Sequence, residues 1–176
     1  ASARIVHGAS EMVAAVTWLD GFGQQLGQIT PGAAAGQWIV SKAARRSARG
    51  FPAEADLPYA VSAMSWQPPP AGTGSASYVY DALGRLVQMT RPDGLIIQTR
   101  RDGTTATTTE TWPGGTAQDI ERQVFDAAGQ LISVSRNAGD HWVEQRYAYA
   151  PSGKLSAATL PGGMQELFTT DLLGRI

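Results

Sequence analysis

One short unit recurs along this 176-residue chain, and its punctuation limits what the chain can become. Residues 78–94 read Tyr-Val-Tyr-Asp-Ala-Leu-Gly-Arg-Leu-Val-Gln-Met-Thr-Arg-Pro-Asp-Gly. Tyr78, Val79 and Tyr80 are the aromatic and β-branched residues that suit a pleated, half-buried surface. Asp81 can bond its own downstream backbone, and Gly84 can take a positive φ without a Cβ to obstruct it. The tetrapeptide 81–84 therefore predicts a type I turn closed by a left-handed glycine. Leu86 to Thr90 returns, and Arg91-Pro92-Asp93-Gly94 reverses the chain again.

Variants of this unit follow. Val124-Phe125-Asp126-Ala127-Ala128-Gly129-Gln130-Leu131 is a close copy. Ala148-Tyr149-Ala150-Pro151-Ser152-Gly153-Lys154-Leu155 keeps the aromatic, the glycine, a long polar residue and the leucine. A further copy begins at Thr170-Asp171-Leu172-Leu173-Gly174-Arg175-Ile176, and a looser one lies at Trp18-Leu19-Asp20-Gly21-Phe22-Gly23-Gln24-Gln25-Leu26. Gly129 to Gly153 is 24 residues and Gly153 to Gly174 is 21. The 45 residues from Gly84 to Gly129 fit two such periods, with Asp102-Gly103 as a degenerate turn between them. A fixed period in the twenties signals a repeat architecture.

From Ser77 onward the turn signals stand at 81–84, 91–94, 102–103, 113–115, 126–129, 137–140, 151–153, 161–163 and 171–174. Strand-length runs lie between them, the best at 95–101, 104–112, 117–125 and 141–150. The threonines of 104–111 are β-branched and can turn their hydroxyls to water. Turns at this spacing predict an antiparallel meander, and the fold class is all-β.

The opening third is less regular. Residues 4–7 and 12–18 are compatible with strands, although Met and Ala leave 11–16 open to a helical turn. The turn at 20–23 favours a strand before it, with 24–30 returning, a loop at 31–36 and a strand core at 38–40. Residues 42–49 read as a short helix or an edge strand, and 50–60, with Pro52 and Pro58, as an irregular connection. Three prolines and a Gly/Ser tail mark 67–76 as a linker. The expected division is thus a β-rich segment 1–66, the linker 67–76 and repeats over 77–176.

The search for chemistry favours structural readings. His7 and His141 lack partners at zinc-ligand spacing. Asp20-Gly21-Phe22-Gly23 stands without the other elements of a kinase site. The aspartates at 81, 93, 102, 126 and 171 lack the dense spacing that a calcium ion requires, and turn bonding accounts for them. No cofactor and no catalytic or metal residue is expected. Tyr147 and Tyr149 share a strand face with Val143, opposite Trp142, and Tyr78 lies with Tyr80. Cross-strand packing is the favoured reading, with a sugar-stacking platform as the alternative. Arg85, Lys154 and Arg175, each following a turn glycine, are expected to lay their stems on apolar surface and keep the charge wet.

A formal net charge of −1, with 16% charged residues, offers no patch for nucleic acid or an anionic membrane. With no cysteine there is no disulfide framework, and no apolar run is long enough to span a membrane. The start at Ala1 and the stop two residues past a turn glycine suggest a piece of a longer protein, whose unpaired edges would recruit other strands.

Tyr80-Asp81-Ala82-Leu83-Gly84-Arg85-Leu86 followed by Pro92-Asp93-Gly94 resembles the YD-repeat, or Rhs-repeat, family. The resemblance marks Tyr80, Asp81, Gly84, Arg85 and Leu86 as motif residues. It extends to Phe125, Asp126, Gly129 and Leu131, to Tyr149, Gly153 and Leu155, and to Asp171 and Gly174. The first 66 residues, with Leu19-Asp20-Gly21-Phe22-Gly23 and Gln37-Trp38-Ile39-Val40-Ser41, resemble the segment preceding the repeats in Tc-toxin B-component proteins.

The resemblance implies a strip of hairpins spiralling into a hollow shell around a C-terminal toxin, made and exported by a bacterium. Its partners would be the rest of its own polypeptide, the enclosed toxin, and secretion-system or other toxin subunits. The family's self-cleaving core motif is absent from these residues. The alternative, as in the related teneurins, is a cell-surface or carbohydrate-binding module. Clustered exposed aromatics would favour that alternative.

Overall fold

The computed structural model describes residues 2–8 and 11–169, with side chains described from residue 15. The fourth repeat copy, with Asp171 and Gly174, lies outside the described residues. Among those described, every regular element is a strand, and the chain divides into two compact units, 1–95 and 96–176.

The first unit holds β1 (Ser2–Gly8), β2 (Glu11–Leu19), β3 (Gln25–Pro31), β4 (Trp38–Ser41), β5 (Ala44–Arg46), β6 (Pro52–Asp56), β7 (Tyr59–Val61), β8 (Ser75–Tyr80) and β9 (Leu86–Thr90). One antiparallel sheet runs β1-β2-β3-β4-β7. Alternation decides what it buries. In β3, Gly27 and Ile29 turn inward while their neighbours stay half-exposed. Ile29 and Val40 pair across β3 and β4 and are both fully buried. Ala43, Tyr59 and Val61 complete this core, with Val16, Trp18 and Trp38 packed against it.

The same unit carries the ladder β9-β8-β6-β5. Arg45 on β5 fastens it, reaching Glu54 Oε2 through Nε at 2.8 Å and Asp56 through both terminal nitrogens at 3.1 and 3.2 Å. Ser75 Oγ on β8 donates to the other oxygen of Glu54 at 2.8 Å. One guanidinium and one hydroxyl thus tie three neighbouring strands.

Two readings left open are decided as strand, and the reading of 50–60 as an irregular connection needs correction. Residues 11–16 are strand, because the whole run 11–17 pairs residue for residue with 2–8. Residues 42–49 hold an edge strand and a turn, with Lys42 at φ 55° in the bend that precedes the buried Ala43. The stretch 50–60 contains β6 and β7, with the two strands in different sheets. Pro52 is tolerated because it opens β6, and Pro58 falls in the gap where the chain changes sheets.

The second unit is a plain meander. Strands β10 (Ile96–Asp102), β11 (Thr105–Thr111), β12 (Gln118–Phe125), β13 (Leu131–Asn137), β14 (Trp142–Tyr149), β15 (Leu155–Thr159) and β16 (Gln165–Leu167) pair antiparallel in sequence order. Its most buried side chains are small or β-branched: Ala106, Val134, Ala157 and Ala158. The expected strands at 95–101, 104–112, 117–125 and 141–150 are β10, β11, β12 and β14, within one residue at each end.

Candidate functional site

The feature that repeats with atomic consistency is the turn. At residue 81 the amide donates to the Arg85 carbonyl at 3.0 Å, and the Gly84 amide donates back to the Asp81 carbonyl at 3.1 Å. The same pair of bonds closes turns that begin at Asp20, Ser47, Arg91, Asp126, Ala150 and Leu160. The glycine three residues on has φ between 77° and 89° in all of them. Left-handed backbone is what demands glycine there.

Beside five of these turns the strand register shifts at the residue before the turn: Leu19, Arg46, Tyr80, Phe125 and Tyr149. This is the three-residue hairpin with a glycine bulge. The bulge explains the motif's spacing. It sets Tyr80 opposite Leu86, Phe125 opposite Leu131 and Tyr149 opposite Leu155. The aromatic and the leucine are cross-strand partners, the contact unit that stabilises a sheet.

The motif aspartate supplies a second set of bonds. Asp81 Oδ1 accepts from the amides of Leu83 and Arg85, both at 2.9 Å. Asp126 Oδ1 accepts from Ala128 at 2.9 Å and Gln130 at 2.8 Å, and Asp20 Oδ1 accepts from Phe22 and Gln24 at 2.8 Å each. One carboxylate oxygen thereby satisfies two amides that the turn leaves free. The Arg85 amide, then its side chain, hold the Asp81 carboxyl below the usual carboxylate range. Arg85 Nε reaches Asp81 Oδ2 at 2.7 Å, so Arg85 closes its own turn while staying about half-exposed.

Neighbouring turns are also tied to one another. Arg49 donates to the carbonyls of Asp81 at 3.0 Å and Ala82 at 3.2 Å, and lies 5.2 Å from the Phe51 ring centre. Phe51 stacks on Tyr80 with centroids 5.0 Å apart. In the second unit Gln130 Nε2 donates to the Gly153 carbonyl at 3.0 Å, and Tyr149 Oη donates to the Leu131 carbonyl at 2.8 Å. The aromatic of one copy therefore reaches the leucine of the copy before it.

Of the sequence-predicted motif residues, 78–86, 124–131 and 148–155 each form the hairpin expected, and Tyr78, Tyr80, Tyr147 and Tyr149 are all half-buried. Trp142 is 42% exposed, with the Arg122 guanidinium 5.5 Å from its ring centre. His141 is exposed beside Asp140, Nδ1 to Oδ1 2.6 Å. Sequence reasoning missed the turn at 47–50 and, with it, Arg49 and Phe51. A Ser-x-x-Gly four-residue frame followed by an aromatic was the available signal.

An all-β chain of glycine-bulged hairpins joined turn to turn defines a hairpin-repeat protein. Residues 71–96 match the RHS Repeat family, a match that takes in the unit at 78–94. Among solved structures, the chain is similar to a TcdB2-TccC3-Cdc42 crystal structure at 16% identity and TM-score 0.67, over 86% of this chain and 9% of that one. It is similar also to a Photorhabdus luminescens Tc holotoxin pore at 16% identity and TM-score 0.68, over 90% of this chain and 10% of that one. This chain thus spans about a tenth of the length of the Tc toxin chains whose fold it shares. No curated protein sequence matches it.

Proposed function

We propose that this chain is a non-catalytic section of the wall of an exported bacterial toxin shell, enclosing a toxin domain carried by the same polypeptide. The observation that carries the reading is the turn-to-turn tie between successive RHS-type hairpins. A wall made of repeats must pass its geometry from one copy to the next, and nearest-neighbour contacts of this kind do so. The likeness of fold to Tc toxin components supports the same reading. Tyr149, bonded to the copy before it, and Tyr80, stacked on Phe51, support packing over ligand stacking. Residues 67–76 act as the connector from the opening segment to the repeats, and partners are the remainder of the polypeptide and further toxin subunits.

Electron microscopy of the longest polypeptide in which this sequence is encoded tests the proposal. A closed, hollow particle with protease-resistant content is expected. A solid or open particle whose C-terminal region is digested as fast as a free domain overturns it.

A further inference from the structure

In the second unit, one face of β10, β11 and β12 forms an open hollow of about 680 Å³. Three threonines of β11, at 105, 107 and 109, line it and point the same way. The register places charges beside them in a definite order. Thr107 stands between Arg100 on β10 and Arg122 on β12. Asp102 is opposite Thr105, and Asp119 is opposite Thr109. Along β11 the hollow therefore reads negative, doubly positive, negative, with steps of about 7 Å, twice the rise of a strand residue.

These charges are accessible, with Arg122 also lying 5.5 Å from the Trp142 ring centre. Arg122 and Asp119 approach only to 3.9 Å, with both side chains about half-exposed. An exposed pair at that distance is worth little. Arg100 and Asp102 are exposed. The threonine hydroxyls between them can donate or accept.

We propose that this hollow binds an extended polypeptide segment carrying basic, acidic and basic side chains at alternate positions. In an extended chain alternate side chains face one way about 7 Å apart, which matches the period of the hollow. The central acid meets both guanidiniums over Thr107, and the outer bases meet Asp102 and Asp119. Water and the segment's backbone groups satisfy the threonine hydroxyls. Charge order sets the specificity, because a segment of inverted order places like charges together at all three positions. The inference stands independently of the shell reading, since it concerns what one face recognises.

The test uses the whole chain and two fluorescein-labelled peptides, Lys-Thr-Glu-Thr-Lys and its inverse, Glu-Thr-Lys-Thr-Glu, with binding read by fluorescence anisotropy at low salt. The first should bind at least about tenfold tighter than the second, and weaken as salt is raised. Replacing all four charges, Arg100→Ser, Asp102→Ser, Asp119→Ser and Arg122→Ser, should remove that preference, while circular dichroism shows the strands intact. Asp102→Lys with Asp119→Lys should abolish binding of the first peptide. Equal binding of both peptides, no binding of either at millimolar peptide, or a preference unchanged in the folded fourfold variant overturns the proposal. Displacement of the peptide by a neutral disaccharide such as maltose overturns it too, and makes the hollow a sugar site instead.

Discussion

The ring of Phe51 lies directly over Gly84. Its Cζ atom stands 2.7 Å from the point a Cβ on residue 84 would occupy, closer than side chains tolerate. Gly84 is therefore constrained twice, by a φ of 79° and by the aromatic of the preceding turn. Gly129, at φ 80°, has the conformational constraint alone, since nothing lies within 4 Å of its Cβ position.

That contrast yields the first prediction. Gly84→Val should destabilise the hairpin by about 1–3 kcal/mol, because a β-branched residue is strained at positive φ. It should cost more than Gly129→Val, and the excess should shrink in a Phe51→Ala background. Urea unfolding of the single and double variants, with hydrogen exchange over 78–90, measures this. Equal costs at the two glycines would show that Phe51 does not press on the turn.

The second prediction concerns acid. The Asp81 carboxyl is held low in the folded chain, chiefly by the Arg85 amide. A depressed folded pKa gives stability that is present above the unfolded carboxyl's value and is lost as pH falls through the folded value. Asn can still accept the Leu83 and Arg85 amides but cannot ionise. Asp81→Asn should therefore leave the hairpin formed while flattening the part of the acid dependence that belongs to this site. Urea midpoints compared between neutral pH and the acid limb decide it. Parallel curves for the two proteins would contradict the assignment.

A third prediction tests the tie between copies. Tyr149→Phe removes only the hydroxyl that donates to the Leu131 carbonyl at 2.8 Å. The expected cost is about 0.5–1.5 kcal/mol, the net worth of a typical internal hydrogen bond. Gln130→Ala removes the other tie, to Gly153. A double-mutant cycle should show the two losses coupled, because both hold the same pair of hairpins. Strict additivity would mean that the hairpins pack independently of these bonds.

The fourth concerns the stretch 67–76. Both ends are pinned: Tyr59 Oη donates to the Gln67 carbonyl at 2.7 Å, and the Leu57 amide donates to the Gly74 carbonyl at 2.9 Å. Between them Pro70, Ala71 and Gly72 are exposed, and no strand forms. Brief digestion with a broad-specificity protease should cut there before it cuts among β10 to β14. First cuts within 95–112 would show that the proline stretch is not the weak point.

Much of the hairpin strip was legible in the sequence, for a physical reason. The bulged turn is a local structure whose demands fall on fixed residue types: an oxygen at the first position, glycine at the fourth, an aromatic before and a leucine after. Asp81, Gly84, Tyr80 and Leu86 state all of these within seven residues. The turns at 126 and 150 could be read the same way, with Ala150 dispensing with the carboxylate because the backbone bonds alone close its turn.

The tertiary structure decided what depends on partners far away in the chain. Whether 42–60 would be helix, loop or strand was open in the sequence, because its Ala, Arg and Pro residues favour no one state. Pairing with β4 and β8, and the reach of Arg45 to Glu54 and Asp56, made it strand. Phe51 over Gly84, and Tyr149 bonded to Leu131, likewise join residues 33 and 18 positions apart. Local propensity specifies the hairpin. Only assembled strands can bring the next hairpin's carbonyls and rings within bonding distance.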